Sequence, residues 1–189
     1  IRKQFRFLFL LGISSCTLIF TVCDQAQAKK TPLLVATVNP GNPSSKRNLI
    51  NLSQYEDAAK SFSEKDYKSA IIHLKNVLQD YPGYLPARIL IGRAYLAEGD
   101  ALAAEKELRR AKLDGGDDEL IAVPLGRALL LMKRNKEILA SLKGDGLSTA
   151  VNFGIQVLRG EAHFGLLQYH QAEMAFSKAL NLQPETPEP

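Results

Sequence analysis

One spacing constrains this chain more than any other: similar residues recur every 34 positions. Shifted by 34, Gly92 falls on Gly126 and Gly160, with Ala58 at the matching place one window earlier. Ala104 falls on Ala70, Ile138 and Ala172. Leu108 falls on Leu74, Leu142 and Phe176. Ala111 falls on Val77 and Ala179, but on Asp145 in the third window. Four windows run without insertion, 51–84, 85–118, 119–152 and 153–186, and Pro82 and Pro184 share one position in them.

The window 85–118 shows what one unit is. Ile89, Ile91, Gly92, Tyr95 and Leu96 share one side of a first helix, and Leu102, Ala104, Leu108 and Ala111 one side of a second. Gly99-Asp100 between them supplies a turn and an N-cap, and Gly115-Gly116 stops the second helix. Pro86 suits a first helical turn. A single helical hairpin cannot bury its apolar face, so the units must stack. The small residues say how. Gly92 and Ala104, with Ala58, Ala70, Gly126, Gly160 and Ala172 at the same two positions, let the helices of one unit approach closely. Ala111 and Ala179 let a second helix pack against the next unit.

On these residues, 51–186 resembles the tetratricopeptide repeat family, whose unit is a 34-residue helix-turn-helix. The resemblance implies an all-α, right-handed superhelical solenoid of about four units and a non-enzymatic protein-binding role. Unit three departs most. Ile138 replaces the small residue, and Lys143-Gly144-Asp145-Gly146 stands where the second helix should continue, so that helix is expected to be short and loosely packed. Residues 69–116 are also similar to the tetratricopeptide lipoproteins of bacterial PEP-CTERM/exosortase and exopolysaccharide loci. Those relatives are much longer, which implies a shortened paralogue or a fragment.

The ends read differently. Residues 1–28 carry Arg2, Lys3 and Arg6, an apolar run from Phe7 to Val22, and Ala26-Gln27-Ala28, the layout of a secretory signal peptide. An uncleaved anchor and a lipid-modified Cys16 are the alternatives. An exported protein of the periplasm or envelope is expected, touching membrane only through such an anchor. Cleavage removes both cysteines, and with them three basic and one acidic side chain from totals of 24 and 20. That leaves 21 against 19, a balance that makes no case for nucleic acid. Residues 29–50, with Pro32, Pro40, Gly41 and Pro43, read as a flexible linker and 187–189 as a tail. Ser53 with Glu56 reads as a capping box opening unit one, whose polar first helix suits an N-terminal capping repeat.

No catalytic constellation is apparent, and no cofactor or metal site is expected. His163 and His170 lie seven apart without a third ligand. A catalytic or enzyme-accessory role using His163, His170 or Glu161 is the alternative function. The resemblance places a partner groove on the inner face of the first helices. Carried over by repeat position, that groove comprises Tyr55, Phe62, Ile89, Arg93, Leu96, Val123, Arg127, Leu130, Leu131, Glu161 and Phe164. A protein or peptide could lie there, or later repeats of a longer chain could fill it. Arg93 and Arg127 share one repeat position, one unit apart, and could clamp an acidic group. Glu161 is expected to reach Arg127 alone, leaving Arg93 without an acid in the groove.

Overall fold

The computed structural model describes residues 43–182, with side chains described from Ser53 onward. Contacts divide the chain into Ile1–Val38 and Asn39–Pro189, and every described residue lies in the second segment. The signal, anchor and lipidation readings of 1–28, and the 187–189 tail, therefore fall outside the described residues.

The described residues form eight α-helices and no strand. The helices are α1 (Pro43–Ser63), α2 (Tyr67–Asp80), α3 (Leu85–Ala97), α4 (Ala101–Leu113), α5 (Asp118–Leu131), α6 (Asn135–Ser141), α7 (Thr149–Gly165) and α8 (Tyr169–Asn181). They pair as four helix-turn-helix units stacked in series, a helical-repeat solenoid.

The period is strictest at the turn inside each unit. Second helices begin at Tyr67, Ala101, Asn135 and Tyr169, each 34 after the last. Two residues before each start the backbone is left-handed, with φ of 64° at Lys65, 84° at Gly99, 58° at Lys133 and 61° at Leu167. The next amide reaches back five residues in every unit: Asp66 to the Ser61 carbonyl, Asp100 to Tyr95, Arg134 to Leu129 and Gln168 to His163. This is a Schellman ending, which satisfies carbonyls that a helix C-terminus leaves open. Asp66 and Asp100 then cap the second helices, accepting from the amides of Ser69 and Ala103. In units three and four, Arg134 and Gln168 hold that place and make no side-chain cap.

Packing is set by the small residues. Gly92 lies against Leu108, Gly126 against Leu142 and Leu158, and Gly160 against Phe176. Ala58, Ala70, Ala104 and Ala111 are fully buried, and Ala172 and Ala179 nearly so. Each glycine thus faces the large residue of its own second helix, 16 positions on.

Two expectations need correction. The first helix starts at Pro43, not at 51, so 43–50 is helix rather than linker. Proline is tolerated where a helix begins, and Ser44 to Ile50 contains no breaker. Ser53 and Glu56 consequently lie inside α1 and cap nothing. The second correction concerns unit three. Helix α6 is short, seven residues, but it is not loose. Ile138 is fully buried and Leu142 is 5% exposed. Arg159 of α7 donates to the carbonyls of Leu139 and Leu142, both at 3.0 Å, and so closes the end of α6. Helices α5 and α7 also meet directly, with Gly154 against Val123.

Candidate functional site

First helices pack on first helices across units: α1 on α3, α3 on α5, α5 on α7. Second helices fill the gaps behind them, and no two second helices pack closely among the described residues. The first helices therefore form the tighter, inner layer of the stack, and their free side is the candidate groove.

The residues named for that groove divide by depth. Ile89 and Val123 are buried, at 8% and 5% exposure, and belong to the core more than to a surface. Tyr55, Phe62, Arg93, Leu96, Arg127, Leu130 and Glu161 are half-buried. Leu131 and Phe164 are open to solvent. The accessible inner face is thus apolar towards the C-terminal ends of α5 and α7, with charge further back.

The charges are not arranged as a double clamp. The Arg93 guanidinium carbon lies 5.1 Å from the centre of the Phe62 ring, a cation–π contact between units one and two. Burial pushes the Tyr55 hydroxyl above its ordinary range, with Tyr84 adding to the shift and Arg93 partly offsetting it. The Tyr55 and Tyr84 rings meet edge to face at 5.4 Å. Arg93 is therefore engaged within the fold, and the expectation of a charge left over for a ligand does not hold. The neighbouring first helix supplies that contact through Phe62. Arg127 acts on Glu161, whose carboxyl is raised above the ordinary range by burial and partly restored by that arginine.

The histidines do not assemble a site. The His163 ring lies 2.7 Å from the Gln168 carboxamide oxygen, across the turn of unit four. His170 is exposed on α8. Among the described residues no group of three or more His, Cys, Asp or Glu is placed to hold a metal ion. No described helix is long and apolar enough to cross a membrane.

Several functional-looking side chains were not legible beforehand. Glu105 sits in the charged run Glu105-Lys106-Glu107 of α4, whose i,i+4 pairing with Arg109-Arg110 reads as a solvated helix face, yet it is 7% exposed. Its carboxylate accepts from Arg109 Nε at 2.7 Å and from Arg134 Nη1 at 2.6 Å. Arg134 also reaches Glu137 at 2.5 Å, and Arg109 pairs with Glu137 as well. Four alternating charges thus bridge α4 to α6 on the outer side. Arg88, which carried no signal in the sequence, joins α3 to α4 through Glu107 at 2.7 Å and Asp114 at 3.8 Å. Glu119 at the start of α5 accepts from the Ser148 hydroxyl at 2.7 Å, tying the α7 N-cap to unit three.

The class defined by this geometry is a stacked helical-hairpin solenoid with an accessible inner layer. Residues 61–130, from the end of α1 through nearly all of α5, match the tetratricopeptide repeat family. The match supports the family reading, and repeats of this kind suggest a protein–protein interaction scaffold. Among curated proteins none matches the chain.

Proposed function

We propose that this chain is a non-enzymatic scaffold of the bacterial cell envelope that holds a protein or peptide partner along the inner face of its first helices. The observation that carries the reading is the inner layer itself. It offers half-buried Leu96 and Leu130 and exposed Leu131 and Phe164 on consecutive first helices. An apolar ladder with that spacing suits an amphipathic helix or an extended segment. Arg127 beside Glu161 adds one polar pair that could fix orientation. The envelope setting rests on the signal-like residues 1–28. A role in exopolysaccharide assembly or export, or in PEP-CTERM protein sorting, rests on the resemblance over 69–116.

Photo-crosslinking tests it. A photoreactive amino acid at Leu96 or Leu130 should capture one discrete partner in cells, and the same group at Ile72 on α2 should not. Capture from Ile72 alone would place the binding surface on the second helices and end the groove reading.

A further inference from the structure

The turns of units three and four stand side by side. A Cβ on Gly165, at the end of α7, would run into the Asn135 amide at the start of α6. Lys133 and Lys136 lie within two residues of Asn135 in the same turn. Leu167, at the tip, is 71% exposed and sits in the left-handed region at φ 61°. That backbone suits glycine, which unit two has there as Gly99, and units one and three place long polar Lys65 and Lys133 at the same position. An apolar side chain that is neither buried nor suited to its backbone contributes nothing to the fold that would explain it.

Its neighbours extend the patch. Tyr169 is 60% exposed and Phe164 45% exposed, with their rings edge to face at 5.7 Å. Unit one contains the same ring pair, Phe62 with Tyr67 at 5.4 Å, but there Arg93 lies over Phe62 and both rings are half-buried. Lys133 and Lys136 are exposed and make no ion pair among the described residues. Arg134 between them is committed to Glu105 and Glu137, and that same contact neutralises Glu137. The nearest other acid on α8 is Glu173, one turn beyond Tyr169.

We propose that the paired turns of units three and four form a peripheral contact with an anionic lipid surface. Leu167, Phe164 and Tyr169 enter the interfacial layer, and Lys133 and Lys136 meet the headgroups. The shape is a protruding turn with an apolar tip and a cationic flank, which fits a soft planar surface better than a pocketed protein partner. Tyrosine, apolar in its ring and polar at its hydroxyl, is at home at such an interface. Cations beside an apolar insertion add attraction that requires anionic lipid and fades with salt. The sequence brought membrane into the picture through the N-terminus, and the basic turn Lys133-Arg134-Asn135-Lys136 reads as a cluster that could touch anionic lipid or polysaccharide, although lysines near a helix end are ordinary. This contact is separate from the N-terminal segment and borders the groove at Phe164.

The chain has no tryptophan, so one introduced residue reports alone. Full-length Leu167→Trp is mixed with vesicles of phosphatidylglycerol and phosphatidylcholine, or of phosphatidylcholine only. Its emission should move to the blue and be quenched by brominated acyl chains in the anionic vesicles. Neutral vesicles should do much less. Adding Lys133→Ala and Lys136→Ala should weaken the apparent affinity on the order of tenfold or more. Ile72→Trp, at a 59% exposed position on α2 of unit one, should keep its aqueous emission in the same vesicles, which controls for tethering by the N-terminal segment. An unshifted Leu167→Trp emission, or an equal shift with neutral vesicles, overturns the proposal. So does a shift without vesicles that grows with protein concentration, which would make this patch a self-association surface.

Discussion

Replacing Gly92 measures directly how the helices of unit two meet. A Cβ there would lie 2.7 Å from Leu108 Cγ and 2.9 Å from Cδ2. Carbon atoms pack best at about 3.5–4.0 Å, so even a methyl group intrudes by about 1 Å. Leu108 is fully buried and cannot swing aside into solvent. In Gly92→Ala, better helix propensity returns about 1 kcal/mol, and overpacking costs about 1–3 kcal/mol. The net expectation is a loss of up to about 2 kcal/mol. Gly92→Leu brings further carbons into the same space and should cost about 3 kcal/mol or more. Denaturant unfolding followed by circular dichroism gives these differences from shifted midpoints. Gly83→Ala is the control, since its Cβ would meet nothing within 4 Å. A double-mutant cycle isolates the contact. Leu108→Ala alone should cost about 2–5 kcal/mol by leaving a cavity. Adding Gly92→Ala to it should cost nothing, because the obstruction is gone, so the two changes couple by about 1 kcal/mol or more. If Gly92→Ala stabilises the protein equally in both backgrounds, and Gly92→Leu leaves the midpoint unmoved, the two helices do not cross at Gly92 and the repeat register is refuted.

Three further perturbations address particular contacts. Arg159→Met keeps the apolar stem but removes the donor to Leu139 and Leu142; it should cost about 1.5–3 kcal/mol and raise hydrogen exchange locally in α6. Unchanged exchange there would mean that α6 needs no closure from α7. Glu161→Gln tests linkage. The folded carboxyl binds its proton more tightly than the unfolded one, so its contribution is favourable below the ordinary glutamate range and is lost as pH rises through the raised value. Unfolding midpoints from about pH 4 upward should therefore fall for wild type relative to the variant, and the variant should be no less stable at about pH 7; the opposite slope would mean that Arg127 outweighs burial. Glu105→Ala leaves Arg109 and Arg134 facing each other and should cost about 1–3 kcal/mol, a loss that Lys106→Ala, exposed on the same helix, should not share.

The fold was largely legible because its strongest constraint is periodic. Gly92, Gly126 and Gly160 face Leu108, Leu142 and Phe176, so the signal repeats wherever the physics repeats. The internal turn repeats as faithfully, but only Gly99 announces its left-handed backbone. Lys65, Lys133 and Leu167 adopt the same left-handed backbone without the residue that announces it. The beginning of α1 was hidden by Pro43, which reads equally as linker and as first turn. Side-chain partners were harder because they are non-local. Glu105 and Arg109 make the same i,i+4 pattern whether buried or solvated, and only Arg134, 29 residues away, decides which. Arg93 was expected to need an acid, whereas an aromatic ring on the preceding first helix satisfies it. Arg159 looked like any surface arginine until the truncated α6 left carbonyls in its reach.

The central claim is that a partner lies on the first helices, and two leucine-sized side chains on opposite layers test it. Leu131 on α5 and Ile72 on α2 are 57% and 59% exposed, so a charge at either should spare the fold equally. Calorimetric titration of the partner captured through Leu96 or Leu130 is then run against Leu131→Asp and Ile72→Asp. The account predicts that Leu131→Asp binds at least about tenfold more weakly, since burying a leucine is worth about 1.5–3 kcal/mol and a carboxylate there must be desolvated. It predicts that Ile72→Asp binds as wild type does. Equal affinity for all three proteins, or a loss confined to Ile72→Asp, would contradict it.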